Sequence, residues 1–382
     1  MLPLEGITVV SIEQAVAAPF ASRQLADLGA RVIKVERPGR GDFARDYDET
    51  VNGLSSHFTW LNRSKESLAI DLKEEESKAL LLDILKDADV FIQNLAPGAI
   101  DRLGLGTEVV RERNPKLITV SISGYGENGS YRDKKAYDLL IQCEAGAVSV
   151  TGTEETPSKT GISIADIAAG MYTYSGVLTA LLARGKTGEG THLEISMLEA
   201  LGEWMNYPLY YEGIGNGQLQ RTGASHATIF PYGPFQTADQ TVFLGIQNDR
   251  EWERFCLHVL EDEVLANNPR YQTNAKRNED KDKLAQIIDQ KLSTLSSKAV
   301  IKRLDEQKIA NARLNTMSEF REHPQLKERN RWREVDSPNG RVPTLIPPVT
   351  TPLFDVVMNP IPAVGEHTEA IRKEFSAPVG RS

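Results

Sequence analysis

Asp166 is the residue whose surroundings most favour chemistry. It stands in the block Gly161 to Gly170, where nearly every neighbour is small or apolar. Apolar residues then recur at helical spacing, which predicts that the carboxylate lies at the start of a helix. Two interpretations are open. Asp166 caps the helix by accepting a free backbone N–H, or it attacks a carbonyl as a nucleophile in a pocket with room for an acyl thioester.

Other parts of the chain carry recognisable blocks in a fixed order. They are Gln14 to Phe20, Ala26 to Pro38, Asn62 to Lys65 with Ile70 to Lys73, Asn94 to Gly98 with Asp101 to Gly106, Ser123 to Gly126, Ala136 to Asp138, the Asp166 block, and Gly365 to Thr368. With these blocks the chain resembles, nearly end to end, the class III (CaiB/BaiF) coenzyme A transferases, the family of formyl-CoA transferase and carnitine CoA transferase. The resemblance implies that Asp166 is the nucleophile.

Composition indicates an ordinary globular enzyme. The chain has 382 residues, of which 40% are hydrophobic and 25% charged, a length that favours two domains. Its net charge of −9 lacks the basic footprint of a nucleic-acid-binding or membrane-surface protein, so local Lys and Arg must bind any anionic ligand. Cys143 and Cys256 are too few for a disulfide framework and are predicted to be buried thiols.

The amino terminus carries neither a charged region nor an apolar run of the kind found in secretory leaders, and no stretch approaches 18 apolar residues. These features predict a cytoplasmic protein without a membrane partner. The mature start of an organelle protein would look the same, so that alternative stays open.

The first half of the chain alternates β-branched runs with helical patterns. Strands are predicted over residues 7–12, 31–36, 90–94 and 117–123, and helices over 17–29 and 73–87. This order predicts βαβ units around a parallel sheet, an α/β fold of Rossmann-like type. Ligands bind such sheets at the carboxyl ends of the strands. We therefore expect Gln14 to Ala18, Arg37, Asn94 and the stretch after Ser123 at one edge.

A dinucleotide-binding domain is the structural competitor. The first strand-to-helix turn, Glu13 to Pro19, contains no glycine, although a nicotinamide fingerprint needs glycines there. A GxGxxG pattern occurs at Gly124 to Gly129, but residues 130–135 do not resemble an opening helix, so we interpret it as a loop. Neither a Walker phosphate loop nor a metal-spaced Cys or His cluster is present in the sequence, and no metal site is predicted.

The predicted organisation is a large domain interrupted by a small one. We expect a large CoA-binding domain over 1–199, a linker over 200–224, a small α+β domain over 225–325, a second linker over 326–360, and a return to the large domain over 361–382. In the resembling family, long linkers let two subunits interlock, which implies a homodimer. Both linkers are long for connections inside one compact domain, which indicates that they reach over a partner. A mobile pair of linkers in a monomer is the alternative.

The chemistry implied by the resemblance is CoA transfer, with acyl-CoA as a substrate and no permanently bound cofactor. Asp166 would attack an acyl-CoA such as succinyl-CoA to give an aspartyl anhydride and free CoA thiolate. The thiolate would return to form an aspartyl-CoA thioester, and an acceptor acid would attack in turn. Backbone N–H donors must stabilise each oxyanion, and a dry pocket must protect the anhydride from water.

The resemblance also assigns the CoA-binding residues. They are Val16 and Ala17 at the first helix start, Arg37 at the adenosine phosphate end, and Ile70 with Lys73, Asn94, Arg102 and Lys135 for the rest of CoA. A helix N-terminus favours phosphate, and arginine forms charge-assisted hydrogen bonds to it. An isolated arginine such as Arg102 could equally be a surface charge.

Tyr137 distinguishes two reactions of the same fold. The related α-methylacyl-CoA racemase has a histidine in this place, and a phenol with a reference pKa of about 10 is a poor proton partner near neutrality. Transfer is therefore favoured over racemisation or epimerisation, and Tyr137 is expected to donate a hydrogen bond to the acyl oxygen. A core aromatic is the alternative role for Tyr137. A non-catalytic CoA-binding subunit is the alternative for the whole chain.

The acceptor acid is predicted from a segment in which this chain differs from formyl-CoA transferase. Where formyl-CoA transferase has a glycine-rich loop, this chain has Arg221 to Thr228, which disfavours an oxalate-sized acid. The segment resembles members of the family that act on C4 and C5 dicarboxylates with succinyl-CoA, such as mesaconate, malate or itaconate. Arg221, Ser225 and His226 are thus candidates to bind a distal carboxylate, although His226 could be a structural histidine.

Overall fold

A parallel sheet of six strands organises the first part of the chain in the computed structural model, which describes residues 1–376. Its strands are β1 (Thr8–Ile12), β2 (Arg31–Glu36), β3 (Lys65–Ala69), β4 (Val90–Gln93), β5 (Ile118–Ser123) and β6 (His192–Ser196). They lie in the order β3-β2-β1-β4-β5-β6, and every neighbouring pair is parallel. This is the doubly wound order of a Rossmann-like domain, so the predicted α/β class is confirmed.

The remaining strands form two smaller antiparallel sheets. They are β7 (Tyr232–Gln236), β8 (Thr241–Gly245) and β9 (Ala310–Arg313) in one, and β10 (Trp332–Ser337) and β11 (Gly340–Leu345) in the other.

The α-helices of the described residues vary widely in length. They are α1 (Ala17–Asp27), α2 (Ser56–Leu61), α3 (Glu75–Asp87), α4 (Ala99–Arg102), α5 (Thr107–Arg113), α6 (Asp138–Glu144), α7 (Ala147–Val150), α8 (Ile164–Thr187), α9 (Met197–Trp204), α10 (Asn206–Pro208), α11 (Asp249–Arg254), α12 (Glu263–Ala266), α13 (Asn274–Glu279), α14 (Lys281–Leu292), α15 (Ser297–Glu306), α16 (Met317–Arg321), α17 (Pro324–Glu328) and α18 (Thr368–Ser376). A 3₁₀ turn spans Phe43–Asp46, and π-helical turns span Leu209–Ile214 and Phe255–Val259.

Each face of the parallel sheet is covered by helices. Val9 packs with α1 and α8 on one face, whereas the next residue, Val10, packs with α3 and α18 on the other. Successive side chains of a strand point to opposite faces, and both faces are buried here. The strands therefore read as continuous apolar runs instead of alternating patterns.

Helices α1 and α8 are in close contact because α8 carries small residues at its start. Ala165, Ala168 and Ala169 are fully buried. A Cβ added to Gly170 would lie 2.7 Å from the carbonyl oxygen of Ala17, so a larger residue would push the two helices apart. The small-residue block around Asp166 thus brings the first turn of α8 against the first turn of α1.

The chain divides into two compact units. The first comprises residues 1–147, 160–207 and 328 to the end of the described chain, and the second comprises 148–159 and 208–327. In the second unit, helix α14 places Leu284 and Ile288 in a core with Trp252, Phe255 and Val300.

Two expectations differ from the structure in detail. The stretch predicted as the second linker contains the hairpin of β10 and β11, which pairs Val335 with Val342. Cys143 is exposed, so the prediction of a buried thiol there is wrong, whereas Cys256 is buried as predicted. Among residues 1–376, no helix is both long and apolar enough to cross a bilayer.

Candidate active site

Asp166 lies in the first turn of α8, three residues after the N-cap residue Ser163. The helix is capped by another residue, because the Asp138 Oδ1 atom accepts the N–H of Ala165 at 2.8 Å and that of Asp166 at 3.4 Å. Asp138 itself is held by Gln142, whose Nε2 donates to Oδ2 at 2.7 Å. The N-cap interpretation of Asp166 is therefore wrong, and its carboxylate is free for another task.

The Asp166 carboxylate forms neither a hydrogen bond nor an ion pair with any residue in 1–376. Burial, together with the negative charge of Asp138, raises its pKa to about 7. A carboxylate that lacks compensating cations is costly to bury, and such a group with a strongly shifted pKa is a candidate for function rather than for structure.

Two tyrosines lie near Asp166. Tyr137 immediately precedes α6 and is 69% exposed, so its alternative role as a core aromatic is wrong. Burial, together with the charges of Asp42, Asp166 and Tyr137, raises the pKa of Tyr47 to about 12. Tyr47 thus stays protonated near neutrality and can donate a hydrogen bond beside the Asp166 carboxylate.

The turn between β1 and α1 has an unusual backbone. Ala15 has φ +61, a left-handed conformation that costs a residue with a Cβ about 1–2 kcal/mol. Its N–H donates to the Asp42 Oδ1 atom at 3.1 Å. The neighbouring Gln14 donates its N–H to Asn94 Oδ1 and accepts from Asn94 Nδ2, both at 2.9 Å. Side chains from two other strand ends therefore hold this turn.

Buried charges lie directly behind the turn. The side chains of Glu13, Lys34, Asp42 and Lys65 are fully buried, and Lys34 Nζ lies 2.8 Å from Asp42 Oδ2 and 3.3 Å from Glu13 Oε1. Burial alone would raise the pKa of Glu13, but Lys65 and Lys34 reverse the shift and lower it to about 2. We call these four residues the buried charge cluster.

Lys65 is buried among polar partners. Burial lowers the pKa of Lys65 to about 7, although the charge of Glu13 opposes this shift. Its Nζ nevertheless faces three acceptors, namely Glu13 Oε1 at 2.6 Å, the Asn62 side-chain oxygen at 3.0 Å and the Pro19 carbonyl at 3.1 Å. Three acceptors around one nitrogen fit the ammonium form, which keeps the cluster electrically balanced.

Several residues that the resemblance assigns to CoA meet around one cavity. A cavity of about 200 Å³ is lined by Gln14, Arg37, Asp42 and the segment Ile70 to Lys73. Ile70 is buried, whereas Arg37 and Lys73 are exposed. Strands β1 and β4 are neighbours although they are not consecutive, so the turn lies where the strand order reverses, the usual ligand position in such sheets.

A second cavity of about 670 Å³ lies along the ends of β4 and β5 and is lined by Pro97, Gly98 and Arg102. Arg102 and Lys135 are both exposed. Val16 and Ala17 begin α1, whose N-terminus has no side-chain cap and no acidic residue in its first turn. Asn94 is the exception in this group, because its side-chain amide is occupied by the backbone of Gln14.

The second unit contains the three residues predicted for the acceptor acid. Arg221 donates from Nε, Nη1 and Nη2 to the backbone carbonyls of Thr153, Ser149 and Glu154, so its guanidinium has a structural task. Ser225 is exposed and packs against Gly233, where an added Cβ would lie 2.6 Å from its Oγ. Carboxylate binding by either residue stays a prediction.

His226 has a defined protonation pattern. Its Nδ1 accepts the backbone N–H groups of Thr228 and Ile229, both at 3.1 Å, and its ring stacks on Tyr232 at 5.2 Å between centroids. A ring nitrogen that accepts two N–H groups carries no proton, so the neutral ring is protonated at Nε2. That N–H can donate to an anionic ligand.

The model of CoA-transferase family III matches residues 4–368. The chain belongs to this family. It is a class III CoA-transferase. It is 32% identical to the succinate–glutarate CoA-transferase of Agrobacterium fabrum over 98% of this chain and 96% of that protein. It is 31% identical to the acetyl-CoA:oxalate CoA-transferase of Acetobacter aceti, with the same coverage of both chains. Proteins of the family thus use CoA thioesters and dicarboxylates as substrates.

A solved structure of a CaiB/BaiF family protein from Brucella suis is similar throughout. Its TM-score is 0.88 at 30% identity, and the match covers 98% of this transferase and 99% of that chain. The fold predicted by resemblance is therefore confirmed over the full length of both chains.

Sequence reasoning missed three parts of the site of this transferase. Nothing in the run Asp46 to Glu49 indicated that Tyr47 would lie near Asp166, and Asp138 gave no sign that it caps a helix 26 residues later. One signal was available for the buried charge cluster. Lys34 stands between Ile33 and Val35 in a strand that is buried on both faces, and such a lysine must have partners.

Proposed function

We propose that this transferase moves CoA from an acyl-CoA to a dicarboxylic acid through covalent intermediates on Asp166. The observation that carries the proposal is the unpaired carboxylate at the start of α8, with its pKa raised to about 7 among small buried residues. A carboxylate that merely stabilised the fold would be paired or would cap its helix, and Asp166 does neither.

The reaction proceeds in balanced steps. An Asp166 oxygen attacks the thioester carbonyl, the C–S bond breaks, and an aspartyl anhydride forms with release of CoA thiolate. The thiolate attacks the aspartyl carbonyl, which releases the donor acid and leaves an aspartyl-CoA thioester. The acceptor carboxylate then attacks that thioester, the C–S bond breaks, and a second anhydride forms with release of CoA thiolate. The thiolate attacks the acceptor acyl carbonyl of this anhydride to give the new acyl-CoA and free Asp166.

The surroundings of Asp166 favour this sequence of steps. Ala165, Ala168 and Gly170 let the start of α8 pack closely against α1, which bears the first strand-to-helix turn. A raised pKa makes the carboxylate a stronger nucleophile than an ordinary aspartate once it is ionised. The hydroxyl groups of Tyr137 and Tyr47 supply hydrogen-bond donors for an oxyanion.

Trapping with hydroxylamine tests the covalent step. After incubation with succinyl-CoA and hydroxylamine, we expect mass spectrometry to find an aspartyl hydroxamate at Asp166, because both the anhydride and the thioester are attacked by this amine. Asp138, a carboxylate close by, serves as the internal control and should stay unmodified. An unmodified Asp166 peptide in an enzyme that exchanges CoA would refute the covalent mechanism.

We place CoA along the carboxyl edge of the parallel sheet. Arg37, Ile70 and Lys73 border the smaller cavity, and Arg102 borders the larger one, so a cofactor that spans both would meet each of them. The N-terminus of α1, with Val16 and Ala17, offers backbone N–H groups to an anion. Lys135, which is exposed two residues before Tyr137, completes the set.

For the acceptor we propose a C4 or C5 dicarboxylate, with succinyl-CoA as a donor. The Agrobacterium relative is named for succinate and glutarate, and the Nε2–H of His226 is available for a distal carboxylate. Ser225 and Arg221 are the neighbouring candidates. The Acetobacter relative is named for oxalate, so the size of the acid must be tested directly.

A panel of acids with succinyl-CoA distinguishes these possibilities. We expect glutarate and mesaconate to give a higher kcat/KM than oxalate. The His226→Asn variant should raise the KM for the preferred acid while leaving the KM for succinyl-CoA within about threefold. Preference for oxalate, or an equal rise in both KM values, would contradict the assignment.

We also propose a homodimer. Apolar side chains are exposed on both predicted linkers, with Trp204 and Ile214 on the first and Val349 and Leu353 on the second. Exposed apolar residues of this number mark interaction surfaces. Size-exclusion chromatography with light scattering should give twice the mass of the chain, and a monomer at micromolar concentration would exclude the dimer.

A further inference from the structure

The turn from Gln14 to Val16 needs external support. Ala15 adopts a left-handed backbone conformation, which glycine enters freely but alanine does not. The turn has no glycine to relieve this strain. Strain of this kind persists only where the surrounding structure enforces it, and it is concentrated at functional sites.

Two side chains supply that support from separate strand ends. Asn94, directly after β4, bonds both backbone groups of Gln14. Asp42 uses Oδ1 to accept the N–H of Ala15 at 3.1 Å and that of Ala44 at 2.9 Å, and its other oxygen is fixed by Lys34. Lys34 also approaches the carbonyl oxygen of Glu13 at 3.4 Å, so the chain is held on both sides of the strained residue.

The turn borders the reacting centre. It leads into Ala17, whose carbonyl oxygen occupies the space that a Cβ on Gly170 would fill, one helical turn after Asp166. Tyr47 is close to both regions, because the charges of Asp42 and Asp166 both raise the pKa of its phenol. A shift of the turn would therefore alter the wall of the site that holds the acyl group.

We propose that Asn94 and Asp42 are positioning residues of the transfer reaction, which hold the strained Gln14–Val16 turn in its productive conformation and do not touch CoA through their side chains. This inference rests on the proposed function, since it takes the Asp166 region as the reacting centre. It replaces the CoA contact that resemblance implies for the side chain of Asn94.

A double-mutant cycle between residues 94 and 15 tests the inference. Asn94→Ala should lower kcat for succinyl-CoA exchange by about 10- to 100-fold, since small misplacements at an active site have effects of this size. The dissociation constant of CoA, measured by calorimetry, should change by less than about threefold. Adding Ala15→Gly to Asn94→Ala should restore kcat by about fivefold or more, because glycine needs no clamp to keep the conformation. Ala15→Gly alone supplies the reference for the cycle.

Asn114 offers a matched control. Its side-chain amide also bonds backbone groups, the carbonyls of Leu85 and Ala88 at 3.1 and 2.9 Å, but it lies before β5 at the opposite edge of the sheet. Asn114→Ala should destabilise the protein in urea by a similar amount, yet keep kcat within about threefold. Its kcat should show no coupling to Ala15→Gly.

Three outcomes would overturn the inference. They are a loss of CoA affinity in Asn94→Ala that parallels the loss of kcat, additive effects of the two substitutions, and an equal loss of kcat in Asn114→Ala.

Asp42→Asn gives a second arm, in which the same Ala15→Gly rescue is expected. Should that variant fail to fold because it unbalances the buried charge cluster, the Asn94 cycle decides alone. The rates of CoA exchange test the role of Asn94 and Asp42 whichever residue is the nucleophile. The hydroxamate experiment tests whether Asp166 is the nucleophile, so the two proposals can fail separately.

Discussion

Two carboxylates in the same unit, the fully buried Glu13 and the half-buried Asp166, have opposite pKa shifts. Glu13 is surrounded by Lys34, Lys65 and two serine hydroxyls, Ser11 and Ser22, and its pKa is lowered to about 2. Asp166 has no cation or donor on its carboxylate, and burial raises its pKa to about 7. Burial acts in the same direction on both, so the partners decide whether a carboxylate stabilises the fold or is kept reactive.

The two carboxylates affect the stability of the fold in opposite ways. The buried charge cluster around Glu13 is satisfied and therefore rigid, which suits its place behind the turn that borders the site. The Asp166 carboxylate is unsatisfied in the free enzyme, which suits a group that must form a bond to the acyl carbon. Stability is thereby lower at Asp166, the proposed nucleophile, and is supplied by the paired Glu13.

The largest expected effect is on catalysis at the unpaired carboxylate. Asp166→Asn should lower kcat for CoA exchange by roughly 10⁴-fold, because the amide is not nucleophilic and no second carboxylate can take its place. Calorimetry should find CoA affinity within about threefold of the unsubstituted enzyme. Exchange at full speed in this variant would refute the mechanism, whatever the fold.

The next largest expected effect is on the free energy of unfolding, which should change in opposite directions when Glu13 and Asp166 are replaced by their amides. Glu13→Gln should lower the free energy of unfolding by roughly 3–5 kcal/mol at pH 7, because it leaves the buried Lys65 without its anion, whereas Lys34 keeps Asp42. Asp166→Asn should have the opposite sign and stabilise the protein. Urea denaturation of both variants measures the difference. Destabilisation of equal size in both would mean that Asp166 has a partner after all.

The contributions of Glu13 and Asp166 to stability should also depend on pH in opposite ways. The folded-state pKa of Glu13 is lowered, so its contribution is present above about pH 4.5 and is lost as the pH falls toward 2. The folded-state pKa of Asp166 is raised, so its cost is absent at acidic pH and develops as the pH rises from about 4 to 7. The stabilisation by Asp166→Asn should therefore be full above pH 7 and vanish near pH 4.

The sequence predicted the large-scale architecture, and the resemblance implied that Asp166 is the nucleophile. Runs such as Ile7 to Ile12, which carry few polar residues, follow directly from burial of both sheet faces. Strand β3 was missed because Lys65 and Glu66 break its apolar pattern, and their ion-pair partners Glu13 and Arg31 lie 52 and 35 residues away in the chain. The hairpin after Trp332 was missed because prolines dominate that stretch.

The supporting residues of the site were beyond prediction for one physical reason. Asp42, Tyr47 and Asp138 act through contacts that span 27 or more residues of chain, and local pattern does not encode such contacts. Asn94 was found by resemblance, but its task was assigned to CoA, because sequence alone cannot reveal that its amide faces the backbone of Gln14.

A smaller expected effect separates the two causes of the raised Asp166 pKa, the charge of Asp138 and burial. Asp138→Asn keeps an oxygen for the N–H groups of α8 but removes the negative charge that raises the pKa of Asp166. The acidic limb of the kcat profile should then move to lower pH by less than about one unit, because burial is the larger cause. A limb that does not move would mean that another group titrates, and a shift to higher pH would contradict the sign of the interaction.

The contrast between paired and unpaired groups extends to the cations. Lys34 is buried and bonded to Asp42, whereas Arg37, three residues later, is exposed beside the smaller cavity. Arg37→Ala should leave stability within about 0.5 kcal/mol, as expected for an exposed residue, and raise the KM for acyl-CoA about tenfold through loss of a charge-assisted hydrogen bond to phosphate. Because this contact is the same in the ground state and the transition state, kcat should change much less than KM. Equal changes in both constants would place Arg37 in the chemical step and remove it from cofactor binding.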